Sequence, residues 1–274
     1  MVYRNNDYNR RKEMDKKILF FDIDGTILSH RSYTLSASTR NAIKQAQSNG
    51  HLAVINTGRV ISFIDKEILS LGFDGYICGC GTYISYRDKL LHHTAIAPDI
   101  IRNLIKNLRE LDIPAVLEGA KAVYYDFTSN SPVTKRLLEF QQKHQFSAGS
   151  WDDPDISFDK FCIWPDTLEK EQLIHDYYKD IFDFIDRNNH LYEVVPKGYS
   201  KASGIEYLIQ QLGIPYENTY AFGDGENDLS MLTYAKHSIA MGNAPQSIKD
   251  IVTFVTEDVD QDGIEHAMVH FGLI

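Results

Sequence analysis

The stretch ILFFDIDGTILSH, Ile18 to His30, places two aspartates, Asp22 and Asp24, at the end of a run apolar enough to be buried. A short Ile- and Phe-rich run bounded by Gly25 is the pattern of a strand covered on both faces of a parallel sheet. Charge at the end of such a strand is costly unless something there uses it. The elements that follow say which kind of sheet the strand belongs to.

SASTRNAIKQAQSNG reads as a helix with a serine near its start and Gly50 as its stop, HLAVINTG as a second buried strand, RVISFIDKEILSLG as a second helix and DGYICGCG as a third strand. Strand, helix, strand, helix, strand is the signature of an α/β fold with a doubly wound, Rossmann-like parallel sheet. After about residue 82 the pattern changes. YISYRDKLLHHTAI and PAVLEGAKAVYYDF look like antiparallel hairpins, each followed by an amphipathic helix, which predicts an inserted α+β cap at residues 83–194. From KASGIEYLIQQLG the first pattern resumes, with strands in TYAFGD, HSIAM and TFVT, so residues 15–82 and 195–274 form one core. Residues 1–14, polar and locally basic, read as an N-terminal extension with no assigned function.

A chain of 274 residues, 43% hydrophobic and 24% charged, has the composition of an ordinary globular protein. Its formal net charge of −10 argues against broad nucleic-acid binding. Three cysteines, Cys78, Cys80 and Cys162, are too few for a disulfide scaffold and fit a reducing cytoplasm. They also fall short of a zinc signature and are expected as small buried hydrophobes. No segment has the length and apolarity of a membrane span or a secretory signal, so no membrane partner is expected.

Asp22 and Asp24 are two apart, so on an extended strand they face the same side, and Gly25 lets the chain turn around what they hold. Two like charges this close need a cation or a shared proton. Hard oxygens in such a pair suit Mg²⁺, although an acid and base pair without metal fits the spacing too. FGDGENDLSML, Phe222 to Leu232, follows a later strand and brings Asp224, Asn227 and Asp228 to a helix start. In a doubly wound sheet the carboxyl ends of the strands share one edge, where Asp22, Asp24, Thr57 and Asp224 would meet. INTGRV offers the Thr57 hydroxyl and the open backbone of Gly58 to phosphate oxygens, with Arg59 next in line as a substrate contact, against the default of a surface arginine. Lys201 opens a helix, a poor place for a cation unless it faces an anion. Lys197, His92, His93, Trp151 and Glu193 have bland readings. Lys197 and Glu193 are expected to be solvated, and the other three to pack or lie exposed in the cap.

The order DIDGT, NTGR, SKASG and GDGENDLSML resembles the four motifs of the haloacid dehalogenase (HAD) superfamily, and the inserted cap is similar to that of its Cof-type phosphatase branch. The resemblance implies that Asp22 is a nucleophile forming an aspartyl-phosphate and that Asp24 is the acid/base, its backbone carbonyl joining the metal shell. It implies that Thr57, Gly58, Lys201 and Asn227 bind phosphate. Asp224 would hold Mg²⁺ with Asp22, supported by Asp228. The function implied is Mg²⁺-dependent hydrolysis of small phosphorylated metabolites, such as sugar or cofactor phosphates. A phosphomutase using the same intermediate, or a non-catalytic phosphometabolite-binding or signalling protein, remains as an alternative. One departure stands out: Cys80-Gly81-Thr82 replaces the branch's usual Asn-Gly-Ala turn.

Overall fold

In the computed structural model, which describes residues 16–274, Ile18–Phe21 forms strand β1 with every residue buried. Its two neighbours are parallel strands, β2 (Leu52–Asn56) and β12 (Thr219–Gly223). Beyond them lie β3 (Gly75–Cys78) on one side and β13 (His237–Ala240) and β14 (Phe254–Val255) on the other, all parallel. Phe21 is level with both Ile55 and Phe222, so β1, β2 and β12 end together and deliver their following residues to one edge. The strand order reverses at β1: β2 and β3 lie to one side of it and β12, β13 and β14 to the other. The crevice at the carboxyl ends beside β1 is therefore the switch point at which such sheets bind ligands.

Side chains alternate across β1, and the two faces have separate cores. Leu19 and Phe21 pack with Ile43 of α1 (Ala37–Ser48) and Met268 of α9 (Gly263–His270), while Ile18 and Phe20 pack with Ile205 and Leu208 of α6 (Lys201–Leu212). The helix starts are capped as their sequences require: Ser36 accepts from Thr39 N–H, and Ser200 accepts from Ser203 N–H. Gly213 then closes α6 in the left-handed conformation.

Two expectations are corrected. YISYRDKLLHH is not part of the cap: β4 (Tyr83–Tyr86) and β5 (Lys89–His93) pair antiparallel onto β3 and complete an eight-stranded first sheet. Arg87 and Asp88 both have positive φ, the turn geometry that matches strand twist, and the 3₁₀ turn at Gly79–Gly81 folds the hairpin back onto the edge of β3. His92 and His93 therefore lie on this sheet. The expected helix in RVISFIDKEILSLG is broken into a 3₁₀ turn, Ile61–Phe63, and a single-turn helix α2 (Lys66–Leu69). Buried, extended Ile64 interrupts it, and the Phe63 carbonyl accepts from Arg59 rather than from a helical N–H.

The inserted unit is a six-stranded sheet in the order β10 (Phe182–Asp186), β11 (Tyr192–Pro196), β9 (Lys160–Ile163), β6 (Ala115–Glu118), β7 (Val123–Tyr125), β8 (Ala148–Ser150). Its helices are α3 (Pro98–Glu110), α4 (Pro132–His144) and α5 (Leu168–Tyr178). Leu117, Phe161, Ile163 and Val194 pack with Leu104 and Leu108 of α3 and Ile174 of α5. By strand alternation Glu118, Lys160, Cys162 and Glu193 point to the opposite face, which looks onto the edge of the first sheet. Trp151 is buried in this unit, its indole N–H donating to the Tyr124 carbonyl.

Candidate active site

Asp22 follows β1 directly and is buried; Lys201, the first residue of α6, reaches across β2 to meet it. Lys201 Nζ lies 2.5 Å from Asp22 Oδ1 and 2.5 Å from Asp228 Oδ1. The unfavourable position of a cation at a helix start is thus resolved by two carboxylates. Asp228 also accepts from the backbone N–H groups of Asp224 and Gly225, at 2.9 and 3.0 Å, and so fixes the loop after β12. Burial, followed by the repulsion of Asp228, pushes the Asp22 carboxyl up to about 8 against the pull of Lys201. The same two causes raise Asp224 to about 6.

Gly25 is required where it stands. Its φ is +81°, and a Cβ there would lie 2.1 Å from Asp224 Oδ2. Asp224 receives the Thr26 hydroxyl at 3.4 Å, the Asn243 amide at 3.1 Å and His30 Nε2 at 3.1 Å. Oxygens of Asp22, Asp224 and Asp228 lie within 4.8 Å of one another, the donor chemistry that a hard divalent cation takes. The Asp24 carboxylate is not in that group: it is turned to Arg59, whose Nη2 and Nε lie 2.6 and 2.9 Å from Oδ1 and Oδ2. Arg59 is buried, contrary to the surface default, and is steadied by Asp65 at 2.9 Å and by the Tyr33 hydroxyl at 3.2 Å.

Thr57 is buried at the end of β2, its N–H tied to the Ile77 carbonyl. Thr57, Gly58 and Asn227 line the same cavity as Asp22, Asp24, Arg59 and Asp224, a cleft of about 1070 Å³ between the two sheets. Lys197 lies outside it, half-exposed beside Asp183.

The far wall of the cleft comes from the inserted sheet and was not visible in the motifs. Lys160 is buried with Nζ 2.8 Å from Glu118 Oε2 and 2.9 Å from Glu193 Oε1, and Arg187 stands 3.7 Å from Glu193 Oε2. Glu193, expected in solvent, is 6% exposed: burial would raise its pKa, but Lys160 and Arg187 bring it down to about 2. Cys80 takes the place of the usual asparagine in a left-handed turn, φ 56°, and donates its thiol to Glu193 Oε1 at 3.4 Å. Among the described residues the cysteines join no metal-ligand cluster. His30, Tyr33, Asp65, Glu118 and Lys160 had no sequence signal beyond isolated polar residues in or beside apolar runs, except that His30 closes the first motif.

A family model described as haloacid dehalogenase-like hydrolase matches residues 19–268, and the chain belongs to that family. It is 32% identical to "Putative phosphatase YkrA" of Bacillus subtilis (strain 168), covering 95% of this chain and all of that one. It is 25% identical to the 5-amino-6-(5-phospho-D-ribitylamino)uracil phosphatase YitU of the same organism, over 90% of this chain and 94% of the relative. Its fold superposes on the HAD subclass IIB sugar phosphatase BT4131 with a TM-score of 0.80 at 29% identity, covering 94% and 100% of the two chains. The protein is a HAD-type phosphatase acting on phosphorylated substrates. None of the described helices is long and apolar enough to cross a membrane.

Proposed function

We propose that the protein hydrolyses small phosphorylated metabolites, sugar or cofactor phosphates, with Mg²⁺ and through an aspartyl-phosphate on Asp22. The observation that carries this reading is the buried contact of Asp22 with Lys201 at the bottom of a cleft that also holds Thr57 and Asp24. The sugar and ribityl phosphates named for BT4131 and YitU support the substrate class.

Lys201 and the Thr57 hydroxyl hold the phosphoryl oxygens, with Gly58 and Asn227 completing the cradle. Lys201 also favours the ionised form of Asp22, the form that attacks phosphorus. The carboxylate oxygens of Asp22 and Asp224, supported by Asp228, and the Asp24 backbone carbonyl would hold Mg²⁺. When bound, that ion supplies positive charge against the transferring phosphoryl group. Asp24 must carry a proton to release the leaving oxygen and must be a base toward the water that hydrolyses the aspartyl-phosphate. Its bidentate pairing with Arg59 fixes where both carboxylate oxygens lie in the cleft.

The test is phosphate release from a panel of phosphomonoesters with and without Mg²⁺. Asp22→Asn should lower turnover by at least ~10⁴-fold, the scale seen when a nucleophile is removed. Turnover that ignores the metal, or an Asp22→Asn protein as active as the parent, would sink the proposal. Transfer of the phosphoryl group to a second sugar without release would point to a mutase instead.

A further inference from the structure

Two cross-strand pairs form the roof of the cleft: Glu118 stands opposite Lys160, and Cys162 opposite Glu193. This roof touches the phosphate turn directly. A Cβ on Gly58 would lie 2.8 Å from Glu193 Oε1, so a side chain at residue 58 would displace the glutamate carboxylate from its present place. A phosphoryl group held by Thr57 and Lys201 would therefore extend its leaving group under Glu118, Lys160 and Glu193.

Lys160 has three N–H donors and two strong acceptors, at 2.8 and 2.9 Å; its remaining contact is the Cys162 sulfur at 3.9 Å. Sulfur is a weak acceptor at long range, so that N–H is readily turned to a better oxygen. Burial opposes the charge of Lys160, and Cys162, Glu118 and Glu193 outweigh it, so the group stays an ammonium. Around it the charges balance, Lys160 and Arg187 against Glu118 and Glu193. A leaving group with a second anion would meet two carboxylates whose cations are already engaged. An apolar leaving group would leave the donor on sulfur. A neutral hydroxyl gains a charge-assisted hydrogen bond without disturbing the pairs.

Resting on the phosphatase reading above, we propose that Lys160 is a specificity-determining residue. It donates to a hydroxyl on the carbon skeleton next to the ester oxygen, and so selects phosphomonoesters of polar, uncharged leaving groups.

Glycerol 3-phosphate and n-propyl phosphate share a three-carbon skeleton and differ only in hydroxyls. With Mg²⁺ the parent enzyme should prefer glycerol 3-phosphate by about tenfold or more in kcat/KM, chiefly through KM, the scale of one hydrogen bond to a charged group. Lys160→Met should bring that ratio close to one. If Lys160→Met does not fold, as judged by thermal unfolding, the double variant Glu118→Gln/Lys160→Met leaves only the Glu193 carboxylate, which keeps Arg187 and the Cys80 thiol as partners, and the ratio is read from it. A parent enzyme that hydrolyses both esters equally, or a variant that keeps the parental ratio, overturns the role of Lys160 and leaves the phosphatase reading intact. A parent enzyme that hydrolyses neither ester nor any other phosphomonoester overturns the reading itself.

Discussion

The floor and the roof of the cleft each place a buried lysine between two carboxylates. In the floor Lys201 holds Asp22 and Asp228, both at 2.5 Å; in the roof Lys160 holds Glu118 and Glu193, at 2.8 and 2.9 Å. They differ in what is left over. The floor adds Asp224 to its pair, with the exposed His30 imidazole at its side, and its acids are pushed upward. The roof adds Arg187, and Glu193 is held low. The same local arrangement thus yields one site short of positive charge and one that is already neutral.

The largest difference should come from removing each lysine. Lys201→Met is expected to lower kcat by roughly 10²–10³-fold, the loss typical of one group that stabilises transition-state charge. It should also cost about 3–5 kcal/mol of stability, because two buried carboxylates lose their partner. Lys160→Met should cost similar stability in urea unfolding with a far smaller change in kcat on n-propyl phosphate. Equal losses of kcat would erase the distinction between floor and roof.

Acid and alkali should separate the two sites next. Asp22 and Asp224 titrate at about 8 and 6 in the folded protein against an ordinary 3.8. Between those values the native state holds more protons than the unfolded chain, so without metal their contribution to stability is lost as pH rises from 3.8 toward 8. Glu193 runs the other way. Folded at about 2 against an ordinary 4.5, it contributes stability above 4.5 that is lost as pH falls toward 2. Adding Mg²⁺ at a hundredfold excess over its Kd should raise Tm by roughly 5–10 °C at pH 8 and by less at pH 5. A larger rise at pH 5 would contradict an acid-rich floor.

The smallest expected effect tests the seam between the sites. Cys80→Asn restores the residue usual in this turn; asparagine accepts the left-handed backbone, and its amide can replace the thiol as a donor to Glu193. Stability should change by less than about 1 kcal/mol, in either direction, by thermal melts. A loss several times larger would mean that the Cys80 site is shaped for sulfur.

What was legible in the chain follows from distance along it. Asp22 and Asp24, and separately Asp224, Asn227 and Asp228, sit in short motifs at strand ends, so their types and spacing carried the chemistry before any coordinates. The central strands were readable because buried parallel strands are continuous apolar runs. The β4–β5 hairpin was misplaced because alternation shows that strands pair but not onto which sheet edge. The burial of Glu193, and that of Arg59 against the surface default, was hidden for one reason: a charged residue leaves water only against a partner, and Lys160 and Asp24 lie 33 and 35 positions away. Glu118 and Lys160 gave no signal at all, since each is a single charge within an apolar strand.

By itself the sequence determined an α/β core with an inserted unit, a pair of aspartates at one strand end, and a further carboxylate to join them. These are properties of local pattern, fixed by the alternation of side chains along strands and by turn chemistry. Only the tertiary structure decided that Asp24 faces Arg59, that Glu193 closes over Gly58, and that a second buried lysine roofs the cleft. Those contacts join residues far apart in the chain, and their charges are stable only where folding removes water from both partners at once.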